Sequence, residues 1–97
     1  MNTRLTKEDQ AIIKKARRYK CSGPIYSEDG LRLLKVLGNP EFVEVKDGVK
    51  AICDYAFLGL NNLHDMVLPA SVVYLGEEAF ASCHKLFKIT NCLSNNI

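Results

Sequence analysis

The chain has 97 residues, 47% of them hydrophobic, and a formal net charge of +2, which suits one small domain and leaves little room for two. No apolar run approaches the roughly 18 residues of a membrane span, and the polar start MNTRLTKEDQ lacks the apolar core of a secretory signal. With Met1 as the natural start the expectation is a cytoplasmic protein; as a fragment of a longer chain, a cell-surface location is also open.

The charge is unevenly placed. Residues 1–20 hold seven basic groups against Glu8 and Asp9, a local net of +5, and the remainder holds six basic and nine acidic groups, a net of −3. Thr6-Lys7-Glu8-Asp9 reads as a helix start, with the Thr6 hydroxyl as cap and acidic residues in the first turn. Ile12, Ile13, Ala16 and Tyr19 share one face of that helix, which leaves its basic residues largely to solvent. Cys21-Ser22-Gly23-Pro24 ends it. Ser27 then begins a second expected helix, with Glu28 and Asp29 in its first turn, Leu31, Leu34 and Leu37 along one side, and Gly38 and Pro40 as its stop. Residues 1–40 are therefore expected to be a helical segment, with residues 25–40 capping whatever follows.

Residues 41–97 are organised by a repeat. Residues 49–71 align without a gap on residues 72–94 at a period of 23. Val49 falls over Val72, Ile52 over Leu75, Ala56 over Ala79, Phe57 over Phe80, Leu60 over Cys83, Leu63 over Leu86 and Met66 over Ile89. One more step back sets Val43 under Met66 and Val45 under Leu68, so about two and a half units are present. Phe42–Val45, Asp65–Leu68 and Lys88–Thr90 alternate as short strands with one face inward. The stretches Asp54-Tyr55-Ala56-Phe57 and Glu77-Glu78-Ala79-Phe80 predict a tight helical turn that drives Phe into the core beside a small Ala. A single unit cannot bury its apolar side, so stacking must supply the core.

The strings I-C-D-Y-A-F-L-G-L-N-N-L-H-D-M-V-L-P-A-S-V and L-G-E-E-A-F-A-S-C-H-K-L-F-K-I resemble the BspA-type leucine-rich repeat over about residues 43–91. Cys53 stands where that family prefers Gly, and Leu60 where it prefers Cys. The resemblance implies an α+β repeat fold: a small right-handed leucine-rich-repeat solenoid of parallel strands behind the N-terminal helical cap. It also implies adhesion or protein interaction as the role.

Three kinds of site compete. The outward strand row, Glu44, Val67 and Thr90 flanked by Phe42, His64, Asp65, Phe87 and Lys88, mixes apolar and charged groups and suits a protein partner better than a polyanion. The basic helix, through Lys14, Lys15, Arg17, Arg18 and Lys20, offers an alternative nucleic-acid or polyanion surface, although no aromatic platform or Gly-rich loop accompanies it. Cys21, Cys53, Cys83, Cys92, His64 and His84 form no C-x-x-C pair, and the repeat register scatters them. Neither a metal site nor a cysteine nucleophile is expected, and no cofactor. Behind Ile89 too few residues remain for another unit. Leu93 and Ile97 are candidates to fold over that end, and without them an apolar flank is left for self-association.

Overall fold

A computed structural model describes residues 1–91. The helix at the front, α1 (Lys7–Arg18), begins as its sequence predicts. The Thr6 hydroxyl accepts from the Asp9 N–H at 3.1 Å, and the Asp9 carboxylate accepts from the Thr6 N–H at 2.8 Å, closing a capping box.

The second helix does not form. Residues 25–40 instead hold most of an antiparallel hairpin, β1 (Gly23–Tyr26) with β2 (Arg32–Leu37). The register slips between Ile25 and Tyr26, so Leu34 is the extra residue of a bulge. Leu33 and Val36 join the main core, while Leu34 and Leu37 pack with Ile13 and Cys53 beneath α1. A strand buried on both faces reads as a continuous apolar run, and such a run carries no period that separates it from a helix. The leucine spacing therefore suggested the wrong element.

Two parallel ladders carry the rest. One sheet has the order β1-β2-β4-β6, with β4 (Ala51–Ile52) and β6 (Tyr74–Leu75); the other is β3-β5-β7, with β3 (Phe42–Glu44), β5 (Asp65–Leu68) and β7 (Lys88–Asn91). Phe42 pairs with Asp65 and Asp65 with Lys88, and Ala51 pairs with Tyr74, each at the spacing of 23 that the sequence shows. Arg32 pairs with Ala51 at a spacing of 19. β2 is thus the strand of a shortened preceding layer, not a separate helical element. Among the described residues this is a repeat fold of two sheets, parallel apart from the β1–β2 hairpin, with one helix at the front.

The A-F segments are successive tight turns rather than helical ones. Ala56 N–H bonds to Cys53 O and Leu58 N–H to Tyr55 O, each reaching back three residues. Tyr55 and Gly59 have φ of +59° and +71°, and their equivalents Glu78 and Ser82 have +47° and +59°, so a left-handed residue brackets each turn on both sides. The turns of adjacent layers form their own ladder: the N–H groups of Tyr55, Phe57 and Gly59 donate to the carbonyls of Glu77, Ala79 and Ala81. Ser71, from the P-A-S-V string, ties the layers at the next corner by accepting from Gly48 N–H at 3.2 Å and donating to Val49 O at 2.7 Å.

The alternative residues in the glycine column also gain a reason. A Cβ on Gly76 would collide with Asp54 N and come within 2.6 Å of Asp54 Oδ1 and the Cys53 carbonyl carbon. One layer earlier the contact is with the irregular β2, and the Cys53 side chain fits beneath α1 with Leu34. Cys83 donates its thiol to Phe57 O at 2.9 Å while Leu60, its equivalent, fills the core. Phe57 is fully buried and stacks obliquely on the half-buried Phe80 at 5.0 Å.

Candidate functional site

The β3-β5-β7 sheet turns Val43 and Met66 into the core and places two outward rows side by side. Phe42, Asp65 and Lys88 form one row, and Glu44, Val67 and Thr90 the other. Strand alternation and the parallel register cause this, since successive residues point to opposite faces and equivalent positions stack. Just ahead of the strands, His64 N–H donates to Glu41 O at 2.8 Å and Phe87 N–H to His64 O at 3.0 Å. The same stacking brings the His64 and Phe87 rings to 6.2 Å, tilted by 38°. Six of the eight residues expected on this face thus stack in the two outward rows, while His64 and Phe87 stack on each other just ahead of the strands. Phe42, Glu44, Phe87, Lys88 and Thr90 are exposed, with Phe87 at 76%; His64, Asp65 and Val67 are half-buried.

The basic residues of the helix lie apart from that sheet. Lys14, Lys15, Arg17, Arg18 and Lys20 are all exposed, but Lys14 and Arg17 line a cavity on one flank of α1 while Lys15 lines one on the other.

Two of the thiols are set by their surroundings. Burial raises the Cys53 thiol above its ordinary value, more than the nearby Arg32 lowers it; burial likewise raises Cys83, whose donor proton is engaged by a backbone carbonyl. Among the described residues no three His, Cys, Asp or Glu side chains converge in a way that would hold a metal ion. Cys92, Leu93 and Ile97, named above as candidate ligand and end cover, lie outside the described residues.

One cluster was not legible from the sequence. Arg32 on β2 forms an ion pair with Asp9 of α1, with a second contact to Asp9 Oδ1 at 3.0 Å, and also donates to the carbonyls of Asn2 and Arg4 at 3.0 Å each. Burial alone would raise the Asp9 carboxyl, but the Arg32 guanidinium and the Thr6 contacts outweigh it, so its pKa lies below the ordinary carboxylate value. The pair fastens the helix and the preceding segment to the first strand layer. Local patterning gives no signal for a pair separated by 23 residues across two elements.

The family model for the BspA type leucine rich repeat region (6 copies) matches residues 37–97. The chain belongs to that family. The match starts at Leu37, the last residue of β2, and takes in both β4-β6 and the β3-β5-β7 ladder. No curated protein and no solved structure matches the chain. The family's A-F pair is the turn that buries Phe57, its P-x-S-V string is the corner where Ser71 bridges layers, and its strand hydrophobes are Val43 and Met66. Repeats of this family suggest protein interaction in general, and among the described residues no helix is long and apolar enough to cross a membrane.

Proposed function

We propose that this BspA-type repeat chain is a non-enzymatic protein–protein interaction module, its layers winding as a short solenoid that offers the β3-β5-β7 face to a protein partner. The observation that carries this reading is the in-register ladder itself. It stacks Phe42 with Asp65 and Lys88, and Glu44 with Val67 and Thr90, and Phe87 lies exposed just ahead of the last strand, which supports a mixed apolar and charged face. Apolar anchors within a rim of both charge signs fit a protein surface, whereas a polyanion calls for one sign. Val67→Glu and Phe87→Ala should each weaken capture of the partner from source-cell lysate at high salt, with thermal unfolding unchanged. Capture equal to the parent's by both variants would locate the interface elsewhere.

Self-association is a second reading, favoured by the outermost strands. Leu75 and Ile89 occupy inward columns of β6 and β7 yet are exposed, and these are the outermost strands among the described residues, an edge of the kind that accepts another strand. Sedimentation velocity of the parent against Leu75→Glu separates the readings: a dimer lost on substitution supports association through this end, and a monomer in both rejects it.

A further inference from the structure

The cavity between α1, β2 and the first A-F turn belongs to neither surface above. Its volume is about 420 Å³. Leu5 and Ile13 line it, and both also pack in the apolar cluster under the helix. Lys14 and Arg17, one helical turn apart on α1, and Lys35 of β2 bring three cations to it. The only acidic lining residue is Asp54, and one of its carboxylate oxygens already accepts from Glu77 N–H at 2.8 Å. The lining thus carries an excess of two positive charges over an apolar floor.

Lys35 is the informative member. Its Nζ donates to Tyr55 O at 3.0 Å, which anchors the ammonium at the cavity. No carboxylate pairs with it among the described ion pairs. Burial, and then the like charge of Arg17, hold its pKa below the ordinary lysine value. Three cations drawn toward one hollow against the single carboxylate of Asp54, one oxygen of which is already engaged, are relieved by an external anion. Glu77 and Glu78 act on the Tyr55 phenol, raising its pKa, but do not line the cavity.

We propose that this cavity binds an amphiphilic carboxylate, with the acid group between Arg17 and Lys35 and the apolar portion on Leu5 and Ile13. An isolated phosphate or sulfate would leave the apolar floor unused, and a neutral apolar ligand would leave the cations unpaired. Charge-assisted contacts from a guanidinium and an ammonium supply the selectivity for the acid. The carboxylate can come from a free aliphatic acid or from an acidic peptide residue flanked by apolar ones.

The test titrates the full chain, labelled with 15N, with four probes: octanoate, 1-octanol, the peptide acetyl-Leu-Asp-Leu-amide and its Asn counterpart. Binding is followed by amide shifts around Ile13, Arg17 and Lys35. Octanoate or the Asp peptide should bind while its neutral counterpart binds about tenfold more weakly, the loss of one charge-assisted contact. Octanoate alone assigns the free acid as source; the Asp peptide alone assigns a peptide; both together assign the chemistry they share. Arg17→Gln, at an exposed helix position, should weaken the acid at least about fivefold and leave the fold intact. Lys35→Met should do the same, its fold checked by circular dichroism. No binding by either acid, equal binding by acid and neutral partner, or no effect of Arg17→Gln would overturn the proposal. Val67→Glu should leave these titrations unchanged, so failure here and failure of the strand-face reading are read separately.

Discussion

The front and rear of the repeat array hold equivalent residues in opposite states. Leu33, Ile52 and Leu75 share one column across β2, β4 and β6, with exposures of 0%, 0% and 59%. Val43, Met66 and Ile89 share another across β3, β5 and β7, and rise from near zero to 48%. At the front, the hairpin pairs with β4 and α1 lies over its outer side, so even Leu34 and Leu37 are covered. At the rear, the described residues end on β6 and β7 as outermost strands. In a repeat protein, burial is a property of the neighbouring layer as much as of the residue, because each unit shares its core with the next.

The strongest way to break this comparison is at the phenylalanine column. Phe57→Ala, in the covered layer, should cost about 3–5 kcal/mol by urea denaturation. The same change at the half-buried Phe80 should cost about 1–2 kcal/mol, since part of its surface already meets water. Equal losses would mean that both layers are packed alike.

The front cover depends next on its ion pair. Arg32→Gln strands the Asp9 carboxylate, whose side chain is 5% exposed against 14% for Arg32, and should cost about 3 kcal/mol at neutral pH. The Asp9 pKa is lowered in the folded state, so its contribution is full above the ordinary carboxylate value of 3.8 and is lost as pH falls through the folded value. Urea midpoints measured between neutral and acidic pH should therefore drop less steeply for Arg32→Gln than for the parent. Parallel acid limbs would show that the pair does not set the pH dependence.

Smaller effects sharpen the same contrast. Thr6→Ala removes one half of the capping box and should lower stability by about 1 kcal/mol, with helix fraying detectable by hydrogen exchange in residues 7–10. Leu75→Thr, in the same column as the fully buried Ile52, should change stability by less than about 0.5 kcal/mol. A loss of the size expected at Ile52 would show Leu75 to be covered in solution.

The sequence showed most where periodicity was long and in register. The strand residues Val43 and Met66, the buried Phe57 and the stacked rows of Phe42, Asp65 and Lys88 and of Glu44, Val67 and Thr90 all follow from the 23-residue spacing. It misled at β2, where Leu31, Leu34 and Leu37 imitate a helical face because the strand is buried on both sides. It also treated the A-F segments as helical turns, since nothing in Tyr55 or Glu78 announces a left-handed backbone. Lys35 and Tyr55 drew no attention as a site, because the cavity they share with Arg17 exists only where a helix meets a strand.

The sequence by itself determined the repeat, its register, the start of α1 and which residues each strand turns outward. These depend on local capping chemistry and on periodic apolar positions, which are written along the chain. Only the tertiary structure decided that residues 32–37 form a strand of a shortened layer and that Arg32 reaches Asp9. It likewise decided that three cations meet over an apolar floor. Each of these arises from contacts between segments far apart in sequence, where local propensity is weak and packing between layers chooses the outcome.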